Sequence, residues 1–181
     1  MVHLHPSADE FRHCPRCGAG LEQRQLKAGE PARLVCTACD SVLYLDPKLA
    51  ACTICTVDGG IVLLKRAIDP AYGKWVFPGG FVDRGETVSE AAVRETREEA
   101  QLDVRLTGIL DVYSFPGQEV VVVVYAAETI GGRLAAGDES LEAKAFLPEQ
   151  LPWDQLAFDS THAALRDYVR RFFPRVRIPR G

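Results

Sequence analysis

Residues 80–102 read GFVDRGETVSEAAVRETREEAQL, a segment in which acidic residues recur at helical spacing. The TVSE motif within it has the form of a capping box and predicts a helix over residues 87–100. At about 100° per residue, Glu95, Glu98 and Glu99 fall within about a third of the helix circumference. The segment therefore predicts a helix that presents three carboxylates on one face.

These three carboxylates need a partner that offsets their repulsion. Like charges three or four residues apart destabilise a helix by about 0.2–0.5 kcal/mol per pair. Mg²⁺ and Mn²⁺ bind oxygen ligands and commonly bridge a few carboxylates to substrate phosphates. The alternative is a solvated helix in which Arg94 pairs with Glu98 and Arg97 lies in water. The metal site is favoured, because both the residue types and their spacing are specific.

The segment resembles the Nudix hydrolase signature, and the matching residues are Gly80, Glu86, Arg94, Glu95, Glu98 and Glu99. The resemblance implies an α/β fold, a Nudix α/β/α sandwich with a mixed sheet, that hydrolyses pyrophosphate bonds with Mg²⁺ or Mn²⁺. It implies that the three helical glutamates and the Gly80 carbonyl hold the cation, while Glu86 and Arg94 orient these ligands. Two positions depart from the family. Thr96 replaces a bulky aliphatic residue, and Gln101 replaces a glycine that would tolerate a left-handed helix end.

The catalytic base stays open on the sequence alone. Nudix enzymes commonly recruit a glutamate from outside the signature, and residues 137–142, GDESLE, form the most acidic stretch downstream. Glu139 and Glu142 are the candidates, with ordinary loop or strand-edge charges as the alternative. A glutamate of the signature is a third possibility.

Four of the six cysteines have the spacing of a zinc site. Two C-x2-C pairs are separated by eighteen residues, and their members are Cys14, Cys17, Cys36 and Cys39. This spacing is typical of a zinc ribbon that holds a structural Zn²⁺, with a redox CxxC as the alternative. Cys52 and Cys55 lie in a predicted strand, where they face opposite sides, so we interpret them as core residues.

The chain pattern predicts a short tail, a small ribbon and one larger domain: residues 1–12, 13–46 and 47–181. In the ribbon, strands are predicted over residues 21–26 and 32–36. In the larger domain, apolar periodicity and turn signals predict two strands around Asp58-Gly59-Gly60, followed by strand 75–82, helix 87–100, strands 103–115, 119–129 and 143–147, and helix 160–173.

Composition limits the functional classes. A net charge of −4 argues against a protein that holds nucleic acid by neutralising phosphates broadly. No apolar run is long enough for a membrane span, and the first residues lack the pattern of a signal peptide, so we expect a cytoplasmic location and no membrane partner. Many Nudix enzymes dimerise, which makes a homodimer possible.

The flanks of the signature bear on the substrate. A ribbon before a Nudix domain resembles the NADH pyrophosphatases, but their Ser-Gln-Pro-Trp-Pro-Phe-Pro selector is absent from residues 110–118, LDVYSFPGQ. Residues 65–81, 112–117 and 139–158 are more similar to plant FAD and ADP-ribose pyrophosphatases and to a bacterial ribbon-bearing group. The resemblance implies hydrolysis of a nucleoside diphosphate linked to a moiety X, with ADP-ribose or FAD first and NADH as the alternative.

Several residues near the glycine turn are candidates for holding a nucleotide-type substrate. Lys65 and Arg66 end a predicted strand and are placed to contact phosphate. The aromatic candidates for stacking on a base are Tyr72, Trp75, Phe77 and Phe115, with core packing as the alternative. A binding module that senses a nucleotide, or docks nucleic acid or protein through the ribbon, is the alternative of another class. The intact set of signature glutamates favours an enzyme.

Overall fold

The computed structural model describes residues 11–179 and divides the chain into two compact units, one ending at Pro47 and the other beginning at Lys48. The first ten residues of the predicted tail lie outside the described range. Within that range, no helix combines the length and the apolar character needed to cross a bilayer.

The smaller unit contains a three-stranded antiparallel sheet in the order β1-β2-β3. Its strands are β1 (Leu21–Arg24), β2 (Arg33–Cys36) and β3 (Val42–Leu43). The predicted hairpin is present with slightly shorter strands. The third strand was not predicted, because two residues are too few to show an alternating pattern.

The larger unit contains two four-stranded sheets, in the orders β8-β4-β10-β9 and β11-β6-β5, with β7 paired to β6. Its strands are β4 (Lys48–Ile54), β5 (Thr56–Val57), β6 (Gly60–Arg66), β7 (Trp75–Val76), β8 (Gly79–Phe81), β9 (Leu102–Tyr113), β10 (Val120–Gly132) and β11 (Ser140–Phe146). Its helices are α1 (Val88–Ala100) and α2 (Asp159–Phe172), with short 3-10 helices at Pro148–Gln150 and Trp153–Gln155. The pair β4 and β10 is parallel and the others are antiparallel, which confirms the predicted mixed sheet.

Strand β6 shows how the sheets fill two apolar layers. Its residues alternate between layers, because successive side chains of a strand point to opposite faces. Ile61 and Leu63 pack in a buried cluster that includes the apolar face of α2. Val62 and Leu64 pack in a second cluster that includes Ala100 at the end of α1. The strands therefore lie between the two helices.

Helix α1 begins at the predicted capping box. The Thr87 hydroxyl accepts a hydrogen bond from the Glu90 amide at 3.2 Å, and the Glu90 carboxylate accepts one from the Thr87 amide at 2.8 Å. Ala91, Ala92 and Thr96 are buried, and their small side chains let the helix lie close to the sheet. The helix start is therefore fixed by its own sequence.

Helix α1 ends in a left-handed residue even though the sequence has glutamine, not glycine, at position 101. Gln101 adopts the left-handed conformation, with φ 57° and ψ 29°, although it has a side chain. Its amide donates to the Arg97 carbonyl at 3.1 Å, and its side-chain amide donates to the Glu98 carbonyl at 3.0 Å. These two hydrogen bonds offset part of the strain, which is about 1–2 kcal/mol for a non-glycine residue.

Candidate active site and zinc centre

The approach of strand β8 to helix α1 depends on two glycines. Gly79 has φ +155°, and a Cβ there would lie 2.6 Å from the Cα and Cβ of Cys52 on the neighbouring strand β4. A Cβ on Gly80 would lie 2.5 Å from the carboxylate carbon of Glu95. Glycine is therefore required at position 79, where the neighbour is backbone, whereas a side chain at position 80 would displace the Glu95 carboxylate.

Glu99 is the most enclosed carboxylate of the signature. Its Oε2 accepts a hydrogen bond from the Gly79 amide at 2.9 Å. Burial raises the pKa of Glu99 to about 7, and the charges of Glu95 and Glu139 act in the same direction, while the Gly79 hydrogen bond opposes them. Burial also raises the pKa of Glu95. The site therefore disfavours its own negative charge and is suited to a cation.

Arg94 holds the surrounding acidic side chains in place. Its guanidinium forms a bidentate pair with Glu86, with nitrogen–oxygen distances of 2.7 and 3.1 Å. The same group donates to Glu95 at 2.7 Å, to Glu98 at 3.1 Å and to the Phe81 carbonyl at 3.2 Å. Through these hydrogen bonds Arg94 lowers the pKa of Glu86. This geometry fits the orienting role that the resemblance implies for Arg94 and Glu86.

The solvated-helix alternative accounts for only part of these contacts. The pair between Arg94 and Glu98 exists, but it is one of several contacts that Arg94 makes. Arg97 forms an ion pair with Asp103. A helix that only exposed its charges to water would not need a buried carboxylate or a bidentate pair to a preceding loop.

The donor set of the signature fits a hard divalent cation. Carboxylate oxygens such as those of Glu95, Glu98 and Glu99 are ligands that Mg²⁺ and Mn²⁺ prefer, and the backbone of Gly80 lies beside the Glu95 carboxylate. Among residues 11–179, their oxygens do not converge to within 4.8 Å of one another as a set of three. Glu98 is 60% exposed and turned toward Arg94. A cation held by all three carboxylates would require a change in this arrangement, and the exposed Glu98 is the side chain with room to make it.

Glu139 and Glu142 lie in different surroundings. Glu139 is close enough to the signature for its charge to raise the pKa of Glu95 and Glu99. Its loop is fixed, since the Gly137 amide donates to the Glu99 carbonyl at 2.9 Å and the Ala67 amide donates to the Glu139 carbonyl at 2.8 Å. Glu142 is exposed and pairs in register with Lys65 on β6. Glu139 is therefore the better placed of the two predicted bases.

Arg66 is a second cation near these carboxylates, in addition to Arg94. It ends β6, and its Nε donates to the Pro70 carbonyl at 2.9 Å, while its guanidinium carbon lies 5.1 Å from the centre of the Phe158 ring. Burial lowers the pKa of Arg66, and the charges of Glu99 and Glu139 oppose that effect. The sequence did not indicate Phe158 as a neighbour, because it is ninety-two positions further along the chain.

The other predicted substrate contacts divide into exposed and buried residues. Tyr72 is 59% exposed, and Phe115 is partly buried against the main core. Trp75 and Phe77 are only 5% and 2% exposed, and Trp75 packs edge-to-face on Phe146 at 4.9 Å. The structure offers no free ring face on Trp75 or Phe77, so the core-packing alternative fits them and base stacking does not. The Lys65 ammonium lies 5.8 Å from the Trp75 ring centre.

In the smaller unit, one atom from each of four cysteines meets in a single cluster. The sulfurs of Cys14, Cys17, Cys36 and Cys39 all lie within 4.8 Å of one another. Their hydrogen-bonding distances of 3.4 to 3.8 Å match a tetrahedron around zinc, since Zn–S bonds of about 2.3 Å place the sulfurs about 3.8 Å apart. Backbone amides of Arg16 and Ala38 donate to two of these sulfurs at 3.4 Å. The cluster therefore fits the predicted structural Zn²⁺.

Cys52 and Cys55 take no part in this cluster. Both are buried in the larger unit, and they belong to different apolar clusters on opposite sides of the strands. This agrees with their interpretation as core residues.

Comparison with known proteins places both units in one family. The NUDIX domain family matches residues 46–172, and the family described as Nudix N-terminal matches residues 12–45. An ADP-ribose pyrophosphatase from Methanocaldococcus jannaschii is 42% identical over 132 residues, which cover 71% of this chain and 76% of that protein. A solved Nudix hydrolase from Nitrosomonas europaea is 31% identical, with a TM-score of 0.85 over 92% of this chain and 94% of the other.

More distant relatives carry other names. The NAD-capped RNA hydrolase NudC of Stutzerimonas stutzeri is 31% identical over 145 residues, or 79% of this chain. The match spans half the length of that relative. Together with the signature geometry and the cysteine cluster, these findings show that the chain belongs to the Nudix hydrolases, as a pyrophosphohydrolase in which an N-terminal zinc ribbon precedes the Nudix domain.

Proposed function

We propose that this protein hydrolyses the pyrophosphate bond of a nucleoside diphosphate linked to a moiety X, with ADP-ribose as the first substrate. The products are a nucleoside monophosphate and X-phosphate. The observation that carries the proposal is the partly buried Glu99 carboxylate, which accepts from the Gly79 amide and whose pKa responds to the charges of Glu95 and Arg66. The similarity to the archaeal ADP-ribose pyrophosphatase supports the choice of substrate.

The chemistry follows from the charges of the substrate. A pyrophosphate repels an incoming nucleophile, and a bound Mg²⁺ or Mn²⁺ supplies neutralising charge at its oxygens. We assign Glu95, Glu98, Glu99 and the Gly80 carbonyl to hold the cation. Arg94 and Glu86 keep the glutamates oriented, and Glu98 exchanges its pair with Arg94 for the cation.

The remaining residues act on the water and the phosphates. The oxygen of water forms a bond to one phosphorus, the bridging P–O bond breaks, and the leaving phosphate keeps the electron pair. We assign Glu139 as the base that accepts the water proton, because it lies beside the signature on a loop tied to α1. We assign Arg66 to a phosphate oxygen, since its guanidinium is held between Pro70 and Phe158 near the carboxylates.

FAD and NADH stay as alternative substrates of the same site. The exposed Tyr72 lies in the loop after Arg66 and is the aromatic candidate for the base or the second moiety. The relatives named as NAD-capped RNA hydrolases favour a dinucleotide-linked substrate as the second candidate. Homodimer formation, the cytoplasmic location and the preference between Mg²⁺ and Mn²⁺ stay predictions from the sequence.

The test is a hydrolysis screen of the full-length, zinc-bound protein. ADP-ribose, FAD and NADH are incubated with Mg²⁺ or Mn²⁺, and the products are separated by chromatography. We expect AMP and ribose 5-phosphate from ADP-ribose, and a loss of at least 100-fold in turnover for Glu98→Gln. Glu128→Gln is the matched control, because Glu128 is a similarly exposed glutamate on β10. Full turnover in Glu98→Gln, or no cleavage of any dinucleotide, would contradict the proposal.

A further inference from the structure

The charge of the chain is divided unevenly. Residues 166–181 carry a net charge of +5, which leaves −9 for the other residues of a chain whose net charge is −4. This segment contains a single acidic residue, Asp167, and six arginines: Arg166, Arg170, Arg171, Arg175, Arg177 and Arg180. We call residues 166–179 the arginine segment. The argument from total charge against nucleic acid does not apply to it, since binding depends on the local distribution of charge.

The arginine segment presents most of its guanidinium groups to solvent. It consists of the second half of α2 and the residues that follow. Arg170, Arg171, Arg175 and Arg177 are exposed. Asp167 lies 3.7 Å from Arg170, and both side chains are substantially exposed, so it neutralises the surface weakly.

Arg166 differs from the other arginines of the segment. It is partly buried, donates to the Pro179 carbonyl at 3.1 Å and lies 5.5 Å from the centre of the Trp153 ring. These contacts hold the residues after α2 against the body of the domain. The exposed arginines therefore lie on a short segment that is tied to the domain at both ends.

An exposed aromatic residue lies within the arginine segment. Phe172 is 45% exposed, and the guanidinium of Arg171 lies 5.4 Å from its ring centre. Next to it is a shallow hollow of about 240 Å³, lined by Phe172, Phe173, Pro174, Arg175 and Val176. The Phe172 ring packs at a tilt on the Tyr168 ring, with centres 4.6 Å apart, and is still partly open to solvent. An exposed aromatic ring beside guanidinium groups suits a nucleobase that stacks while the adjoining phosphates meet the arginines.

We propose that the arginine segment binds a single-stranded nucleic acid chain. Guanidinium groups pair with phosphates in a bidentate manner, and stacking on an aromatic ring tolerates any base. A lipid surface fits less well, because the apolar face of α2, including Leu165 and Val169, is already buried in the core and cannot enter a bilayer. The proposal is independent of the substrate proposed above.

The experiment measures binding of the full-length protein to a fluorescein-labelled single-stranded RNA of twenty nucleotides by anisotropy between 50 and 300 mM KCl. The variant Arg170→Gln/Arg171→Gln/Arg175→Gln is expected to bind at least tenfold more weakly. Its slope of log K against log salt should fall by about 2, since each lost phosphate contact removes about 0.7. Phe172→Ala is expected to weaken binding about tenfold with an unchanged slope.

A matched control removes the same charge elsewhere in the domain. Arg105→Gln/Arg133→Gln/Lys144→Gln neutralises three exposed basic residues outside the arginine segment and should bind RNA within twofold of the unmodified protein. Melting curves from tryptophan fluorescence verify that each variant is folded, whether or not ADP-ribose is cleaved. Equal weakening by both triple variants would overturn the proposal. So would tighter binding to phosphatidylserine vesicles than to RNA, or no RNA binding at 50 mM KCl.

Discussion

Replacing Glu99 with glutamine should stabilise the protein while removing its activity. Burial raises the pKa of Glu99 from 4.5 to about 7. Below pH 4.5 the carboxyl is protonated in the folded and the unfolded chain, so it makes no difference to stability. Above pH 7 it is ionised in both, and only the folded domain buries the charge. Stability is therefore lost as the pH rises from 4.5 to 7.

The size of this effect follows from the same pKa. One pKa unit corresponds to about 1.4 kcal/mol, so the ionised Glu99 costs the folded domain about 3 kcal/mol. Glutamine keeps an oxygen that can accept from the Gly79 amide but carries no charge. Without added divalent cation, the stabilisation by Glu99→Gln should grow by about 2 kcal/mol between pH 5 and pH 8. Saturating Mg²⁺ should reduce it, because the cation offsets the charge in the unmodified protein only.

The assay is urea denaturation followed by tryptophan fluorescence. Both tryptophans, Trp75 and Trp153, lie in the larger unit, so the signal reports the Nudix domain and not the ribbon. Glu98→Gln is the control, since Glu98 is 60% exposed and the substitution removes a neighbouring negative charge that the folded domain does not bury. A Glu99→Gln effect that does not change with pH, or a loss of stability at pH 8, would refute the reasoning.

Three further predictions concern the base, the ribbon and the glycine turn. Glu139→Gln should lower kcat for ADP-ribose by at least 100-fold and Glu142→Gln by less than threefold; equal losses would contradict the assignment of the base. Cys36→Ser should lose zinc by metal analysis and become less soluble while the soluble fraction keeps its kcat, and full solubility without zinc would oppose a structural role. Gly79→Ala should lower the free energy of unfolding, measured in urea, by about 3 kcal/mol, because its Cβ would meet Cys52. Gly85→Ala is the control and should cost about 1 kcal/mol, because the space around Gly85 is open. Similar costs for the two variants would show that the contact with β4 is unimportant.

The sequence predicts the signature helix well because its information is local. The capping box, the period of the glutamates and the small buried residues all lie within one segment, and the helix begins where they indicate. The bidentate pair of Arg94 with Glu86 is harder to predict from the sequence, because it depends on the path of the loop before the helix. Gln101 shows that residue propensity alone does not decide how a helix ends. A non-glycine residue was expected to tolerate the left-handed cap poorly, but the Gln101 side chain donates to a carbonyl of the last turn.

Local sequence patterns do not predict which residues from distant parts of the chain meet at the site. Glu139 lies beside Glu99 because β11 pairs with β6 and brings residues 137–140 to the end of α1. Trp75 and Phe77 precede the Gly79-Gly80 turn. In the sequence, an aromatic residue there is equally compatible with packing in the core and with stacking on a nucleobase. Only the packing against Phe146 and its neighbours assigns them to the core.

The Thr96 hydroxyl makes the identity of this position depend on Thr53, a residue of strand β4. It lies 2.7 Å from the Thr53 hydroxyl, and both side chains are fully buried. If Thr96 alone became valine, the Thr53 hydroxyl would lose this partner at a cost of about 1–3 kcal/mol. The reverse change costs less, because the Thr96 hydroxyl also donates to the Ala92 carbonyl at 2.7 Å and keeps that bond when Thr53 is replaced. A designer who restores an aliphatic residue at position 96 should therefore replace Thr53 as well, whereas Thr53 can change first at a smaller cost.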